Sequence, residues 1–101
     1  HEISLMKKGV ILVNTARGEI LNSEAISRGI DQDIISAVGL DVCGNEYQSS
    51  KLPEDLLVKR SFNDKRIIIT PHAGGSTLDA HDKVFGKTTE LIKYHLEMNG
   101  L

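Results

Sequence analysis

The sequence predicts an α/β domain built on a small parallel sheet, and three observations support that prediction. Three short apolar runs, at 10–13, 34–40 and 67–69, are rich in β-branched residues, as buried strands are. Stretches with helical spacing follow the runs. Strands that alternate with helices pair in parallel through crossover connections. The carboxyl ends of the three strands are therefore expected at one edge of the sheet.

The composition narrows the class of protein. A chain of 101 residues with 40% hydrophobic and 26% charged residues is typical of one small folded domain. A net charge of −2 offers no basic surface for nucleic acid or an anionic membrane, and no apolar run approaches the length of a spanning helix. The lone Cys43 cannot form an internal disulfide, which predicts a reducing, cytoplasmic compartment.

The first half of the chain contains two predicted helices around the first strand. Residues 2–8 end in two lysines before a glycine, a pattern typical of a helix C-terminus. A second helix is expected from Asn22, a favoured N-cap residue. Gly29 either weakens that helix or lets it pack closely on the sheet. Asp33 is expected in the left-handed conformation that ends the helix.

The second strand, 34–40, leads into a long polar segment. Residues 44–64 are expected to be irregular, with one helical turn after Pro53, and a loop of this length is usually functional or docks on something. The third strand, 67–69, must stop before Pro71, which has no N–H to donate to a sheet.

A long helix is predicted at the end of the chain. Ser76 followed by Asp79 three residues later is typical of a helix N-cap, and apolar residues recur at helical spacing as far as Asn99. His81 is expected to be partly buried on the apolar face of this helix.

Three side chains that follow the strands can form a catalytic group. Arg17 offers a planar set of donors for a carboxylate or phosphate, although, judged in isolation, a surface arginine paired with Glu19 is the favoured explanation. Glu46 and His72 can form a carboxylate–imidazole pair, which orients the ring and supports general acid–base chemistry. The alternatives are a solvated loop acid and a loop histidine that titrates in solvent.

Other polar residues yield structural expectations. Asp41 ends an apolar strand, where a carboxylate is costly unless it is hydrogen-bonded, so an amide or hydroxyl partner is expected. Cys43 is expected to face the core. Ser76 lacks the G-x-S-x-G setting of a hydrolase nucleophile. The histidines and acids show no metal-ligand spacing, so no metal site is predicted.

Three segments carry a resemblance to a known family. They are GVILVNTARG at 9–18, GLDV at 39–42 with Glu46 beyond it, and TPHAGGST at 70–77. In this order they resemble the D-isomer-specific 2-hydroxyacid dehydrogenases over nearly the whole chain. The last segment, with LIKY at 91–94, is most similar to the 3-phosphoglycerate dehydrogenase branch.

The resemblance implies roles for seven residues. The catalytic residues would be Arg17, Glu46 and His72, and the residues near the NAD cofactor would be Thr15, Ala16, Asp41 and Gly74. Arg17 would bind the substrate carboxylate, His72 would exchange a proton with the substrate oxygen, and Glu46 would support His72. Asp41 would hold the nicotinamide carboxamide.

The chain departs from the family pattern at three positions. Cys43 stands where an aromatic residue is usual, Tyr47 where proline commonly follows the glutamate, and Asp33 where glycine is common. Only Tyr47 is adjacent to a proposed catalytic residue, Glu46, and this departure affects the orientation expected for the Glu46 side chain.

The resemblance also predicts the domain organisation. The family's cofactor domain begins with a strand, a G-x-G-x-x-G turn and a helix, and these 101 residues contain neither that motif nor a substrate lobe. Residues 1–101 are therefore expected to be the C-terminal half of an NAD-binding Rossmann-type domain, a partial three-layer parallel sheet. The chain is expected to form a homo-oligomer or to need the missing part of the domain.

The expected parent is an NAD-dependent oxidoreductase acting on a D-2-hydroxy acid and its 2-oxo acid, for which 3-phosphoglycerate, and hence serine biosynthesis, is plausible. No nucleic-acid or membrane partner is expected. The alternative is a non-catalytic, corepressor-like interaction module of the same family, since an exposed sheet edge can pair with another chain.

Overall fold

The computed structural model describes residues 1–44, 46–47 and 51–100. It contains a three-stranded sheet in the order β1 (Val10–Asn14), β2 (Ile35–Leu40) and β3 (Ile67–Ile69). Both strand pairs are parallel. Leu40 pairs with Asn14 on one side and with Ile69 on the other, so all three strands end at the same edge of the sheet. The predicted α/β class and parallel sheet are confirmed.

Two helices cover one face of the sheet. These are α1 (Ser23–Asp31), which contacts β2, and α2 (Leu56–Ser61), which contacts both β3 and α1. The core between helices and sheet consists of Ile26, Ile30, Ile35, Val38, Leu40, Leu57 and Ile67. This packing holds the strand ends in fixed positions.

The ends of α1 follow the expected local chemistry. The Asn22 side chain accepts a hydrogen bond from the Ala25 amide at 2.8 Å. Asp33 adopts a φ of 56°, the left-handed conformation expected after this helix. A Cβ on Gly29 would lie 2.9 Å from side-chain atoms of both Ile3 and Ile35. Of the two explanations for Gly29, the close packing of the helix on the sheet is therefore correct.

The predicted helix over residues 2–8 is wrong. Only a 3₁₀ turn, Glu2–Leu5, forms there, and Met6 is already extended with a ψ of 151°. So short a segment cannot sustain an α-helix without tertiary packing, and its one partly buried contact with the core is Ile3. Gly9, with a φ of 82°, then directs the chain into β1.

The segment before β3 is more ordered than predicted. A 3₁₀ turn, Leu52–Glu54, leads into α2, and Asp55 caps this helix by accepting hydrogen bonds from the amides of Leu57 and Val58. The sequence reading found one turn of this helix and missed its cap. Residues 45 and 48–50 of the predicted loop lie outside the described residues.

The last helix, α3 (Leu78–Met98), begins one residue later than predicted. Thr77 is its N-cap, accepting a hydrogen bond from the Ala80 amide at 3.1 Å. Ser76 instead donates its amide to the Ala73 carbonyl in the preceding turn. The helix buries none of its residues. His81 is therefore exposed rather than partly buried, and its ring lies 5.7 Å from that of Phe85 in a T-shaped pair.

The second face of the sheet is open in the described residues. Ile11, Val13 and Ile68 lie on this face and are 71%, 67% and 66% exposed. The described part of the chain thus shows two layers, the sheet and one layer of helices. No helix in the described ranges has the length and apolarity that crossing a membrane requires.

Candidate active site

The loop after β1 is held by the side chain that ends the strand. Asn14 is buried, and its Nδ2 donates to the Arg17 carbonyl at 2.8 Å while its Oδ1 accepts from the Ala16 amide at 3.0 Å. A Cβ on Gly18 would overlap the backbone of Cys43 and Gly44. The loop that carries Arg17 is therefore packed directly against the loop that follows β2.

The Arg17 guanidinium is exposed at this edge. Its Nη1 donates to the Ala16 carbonyl at 2.7 Å, and among the described residues it makes no ion pair with Glu19. The surface-pair explanation for Arg17 is therefore not what the structure shows. The backbone of the loop that carries this guanidinium is held by the Asn14 side chain.

Glu46 and His72 are in contact, as the sequence predicted. Glu46 Oε1 lies 2.5 Å from His72 Nδ1, and Oε2 accepts a hydrogen bond from the Cys43 amide at 3.1 Å. The Glu46 side chain is only 13% exposed, so it is not a solvated loop acid. With Nδ1 occupied by Glu46, Nε2 is the ring nitrogen available to a ligand.

Asp41 has the hydrogen-bond partners that its position required. Its Oδ1 accepts from the Thr70 hydroxyl at 2.6 Å and from the Ala73 amide at 3.1 Å, and its Oδ2 accepts from the Gly74 amide at 2.8 Å. These bonds, above all the one from Thr70, lower the pKa of the Asp41 carboxyl. Asp41 therefore joins the end of β2 to the turn that carries His72.

A cleft of about 460 Å³ opens beside His72. Its polar side chains include Glu46 and Asp41, and its apolar wall includes Cys43. Burial raises the pKa of the Cys43 thiol, with Asp55 and Glu46 adding to the effect. A buried thiol in its protonated form agrees with the core-facing role expected for this residue.

The edge carries polar groups that a nicotinamide cofactor can bind. A Cβ on Gly74 would lie 2.8 Å from Asp41 Oδ2, so the backbone is closely packed there. Among the described residues, Oδ2 accepts one hydrogen bond, from the Gly74 amide, and it can accept a second. Thr15 and Ala16 are exposed on the adjacent loop. These residues fit the nicotinamide end of NAD. The 101 residues contain no glycine-rich turn for its pyrophosphate.

Sequence reasoning missed four features of this site. It did not assign roles to Asn14, Gly18 or Thr70, and it did not anticipate that His72 has a φ of 53°. An asparagine that ends a strand was a usable signal, because such side chains bond to nearby backbone amides. Nothing local indicated the Thr70–Asp41 bond, which joins residues 29 positions apart.

The parallel sheet and its polar edge belong to the dinucleotide-binding class of α/β folds. A sequence profile described as "D-isomer specific 2-hydroxyacid dehydrogenase, NAD binding domain" matches residues 1–74. The chain belongs to this family, whose members are NAD-dependent oxidoreductases.

Individual relatives agree on the family but differ in their named substrates. The chain is 37% identical over 92 residues to the hydroxypyruvate reductase of Thermotoga maritima, covering 91% of this chain and 28% of that protein. It is 34% identical over 89 residues to the chloroplastic D-3-phosphoglycerate dehydrogenase 2 of Arabidopsis thaliana, covering 88% of this chain and 13% of that protein.

The chain is also similar to a solved structure of a D-lactate dehydrogenase. The D-lactate dehydrogenase of Aquifex aeolicus, complexed with NAD and lactic acid, superposes with a TM-score of 0.63 at 31% identity. The match covers 94% of this chain and 31% of that one. The chain thus spans less than a third of each of these three proteins.

Proposed function

We propose that the chain is the catalytic half of the NAD-binding domain of a dehydrogenase that interconverts a D-2-hydroxy acid and its 2-oxo acid. The observation that carries the proposal is the contact between Glu46 and His72 at the carboxyl edge of the parallel sheet. Such an edge is where open α/β sheets bind ligands, and Asn14 and Gly18 hold the Arg17 loop at the same edge.

The described geometry supports separate chemical roles for the residues of this chain and for the cofactor. Bound nicotinamide supplies the hydride or accepts it. Arg17 binds the substrate carboxylate through its forked donors. His72 delivers a proton from Nε2 to the carbonyl oxygen during reduction and takes it back during oxidation. Glu46 fixes the ring through Nδ1, and Asp41 offers its free Oδ2 lone pair to the carboxamide.

The substrate is proposed as a small 2-oxo or 2-hydroxy acid. 3-Phosphoglycerate, with a place in serine biosynthesis, is one candidate, supported by the relatives named as phosphoglycerate dehydrogenases. Other relatives are named glyoxylate or hydroxypyruvate reductases, so the assay must cover these acids. We further propose that residues 1–101 are the second half of the cofactor domain, acting in the cytoplasm after assembly with the other half or with further copies.

Two measurements test the proposal. The first is to sequence the reading frame upstream of His1 and to search the encoded residues for a predicted strand followed by G-x-G-x-x-G. The second is to assay the complete polypeptide for NADH oxidation with glyoxylate, hydroxypyruvate, pyruvate and 3-phosphohydroxypyruvate. We expect activity with at least one acid and a loss of about 10²- to 10⁴-fold in kcat for His72→Gln, because a general acid contributes on that order. Arg17→Lys should mainly raise KM.

Arg28→Lys is the matched control, because Arg28 is an exposed arginine on α1, away from the strand ends. Its kinetics should equal those of the unmodified protein. A complete polypeptide that oxidises NADH equally well with His72→Gln would contradict the proposed role of His72.

The alternative, a non-catalytic interaction module, has one specific observation in its favour. The sheet leaves the apolar face with Ile11, Val13 and Ile68 exposed, and such a face is a surface for another protein. Absence of NADH oxidation by the complete polypeptide, together with a stable complex in pull-down experiments, would favour this alternative.

A further inference from the structure

His72 has an unusual backbone conformation. Its φ of 53° lies in the left-handed region, which costs free energy for any residue with a Cβ. A strained conformation persists only where the surrounding contacts hold it, and strained residues are concentrated at functional sites. The contacts that hold this residue should therefore matter for the orientation of its ring.

Asp41 provides those contacts through residues on both sides of His72. Before it, Thr70 donates its hydroxyl to Oδ1 at 2.6 Å. After it, the amides of Ala73 and Gly74 donate to Oδ1 and Oδ2 at 3.1 and 2.8 Å. We call this group of four residues the Asp41 clamp. It is itself anchored in the sheet, because the Thr70 amide donates to the Leu40 carbonyl at 2.8 Å.

The turn inside the clamp is short, so its backbone conformation depends on the two anchored ends. The His72 amide donates to the Thr70 carbonyl at 2.9 Å, which closes a tight turn around Pro71. Two residues, Pro71 and His72, therefore connect the two anchored ends. In this arrangement the imidazole reaches Glu46, whose own carboxylate is held by the Cys43 amide.

We propose that Thr70 is a positioning residue for His72. It acts through Asp41, and its hydroxyl keeps the clamp closed so that His72 stays left-handed with Nδ1 against Glu46. The statement rests on the proposed function for its catalytic consequence, but the clamp itself is a property of this chain. Of the clamp donors, only Thr70 contributes a side chain and can therefore be removed without altering the backbone.

The experiment compares Thr70→Val, Thr70→Ser and the unmodified 101-residue chain by NMR. Valine keeps the shape and removes the hydroxyl, whereas serine keeps the hydroxyl. For Thr70→Val we expect faster amide hydrogen exchange at Gly74, by about five- to tenfold, the change that losing one hydrogen bond produces. We also expect the pKa of the Asp41 carboxyl to rise and the scalar couplings of His72 to depart from left-handed values.

Thr70→Ser should restore all three signals, and Thr88→Val, at an exposed position of α3, should leave them unchanged. Should Thr70→Val fail to fold, Thr70→Ser and Thr70→Ala still decide the matter, because only serine can keep the clamp closed. Unchanged Gly74 exchange and Asp41 pKa in the valine or alanine variant would overturn the proposal, as would failure of serine to restore them.

Kinetics of the complete polypeptide separate this inference from the proposed function. Thr70→Val should lower kcat more than it raises KM, since it misaligns His72 without removing Arg17. If the unmodified polypeptide is inactive while the NMR signals respond as expected, the proposed function fails and the clamp stands. If the polypeptide is active and the valine variant has full kcat, the positioning role of Thr70 is wrong.

Discussion

At the scale of single residues, the site depends on places where only glycine fits. Gly18 brings the Arg17 loop against the backbone of Cys43 and Gly44, and Gly74 brings the His72 turn within bonding distance of Asp41. A Cβ at Gly18 would collide with backbone atoms, and backbone atoms cannot move aside by a change of side-chain rotamer. Both glycines hold together loops that follow different strands.

Replacing Gly18 by alanine should destabilise the chain by about 3 kcal/mol, because a methyl group there must displace the loop after β2. The free energy of unfolding in urea measures this. Gly86→Ala is the matched control: a Cβ at Gly86 meets nothing within 4 Å, and alanine favours a helix by about 1 kcal/mol over glycine. Equal stability of the Gly18→Ala variant and the unmodified chain would show that the two loops are not packed as described.

At the scale of secondary-structure elements, charged side chains join the helices to the sheet. Arg60 in α2 bonds to Asp31 at the end of α1 and to Asp64 before β3, at 2.7 and 2.9 Å, and it also donates to the Ser27 carbonyl. Arg66 donates to the same Asp64, and these contacts hold the pKa of the Asp64 carboxyl well below its usual range. Because Asp64 precedes β3 and His72 follows it, this network lies at the opposite end of the strand from His72.

The connection between α1 and β2 contains a strained residue, and replacing that residue should stabilise the chain. Asp33 has a φ of 56°, and a left-handed non-glycine residue costs about 1 kcal/mol or more. Asp33→Gly should therefore raise the free energy of unfolding by roughly 0.5–1 kcal/mol, after the added flexibility of the unfolded chain is offset. Denaturant titration provides the measurement.

Two variants separate conformation from charge at this turn. Asp33→Asn removes the charge and keeps a side chain that tolerates the left-handed region, so its stability should stay close to that of the unmodified chain. Gln32→Gly, at a φ of −89°, should lower stability, since glycine there adds only unfolded-state entropy. A loss of stability in Asp33→Gly would mean that the aspartate side chain, rather than the backbone, stabilises the turn.

At the scale of the whole molecule, two apolar surfaces remain without cover in the described residues. One is the open sheet face of Ile11, Val13 and Ile68, and the other is the apolar side of α3, which includes Leu91 and Ile92. The described chain measures 56 × 33 × 21 Å because α3 extends away from the core. Apolar surface of this extent favours association, since burying it releases free energy at about 25 cal/mol per Å².

We expect the isolated chain to self-associate and to bind NADH weakly. Light scattering should give a mass above the 11.1 kDa of one chain, and calorimetric titration should show no saturation at micromolar NADH, because these residues offer contacts only to the nicotinamide end. Ile11→Thr, on the open face, should reduce association more than Ile20→Thr, at a similarly exposed site in a 3₁₀ turn. A monodisperse monomer with micromolar affinity for NADH would contradict both expectations.

The sequence by itself determined those features that depend on neighbouring residues. Runs of β-branched residues located the strands, and Asn22 and Asp33 marked the start and end of α1 through their own backbone preferences. The alternation of strands and helices was enough to predict a parallel sheet with its polar residues at one edge. The need of Asp41 for hydrogen-bond donors also followed from local chemistry, since it follows an apolar strand.

Only the tertiary structure decided which donors Asp41 would have, and with them the conformation of His72. Thr70, Ala73 and Gly74 lie 29 to 33 positions from Asp41, and although the sequence predicted that these strand ends meet, it did not specify which hydroxyl and amides would bond to Asp41. Thr77, rather than Ser76, caps α3, and the Ser76 amide instead donates to the Ala73 carbonyl in the turn before the helix. The segment at 2–8, too short to be helical alone, took its shape from the contact of Ile3 with the core. For the Asp41 bonds and for Ile3, the partners come from distant parts of the chain, which the local sequence does not specify.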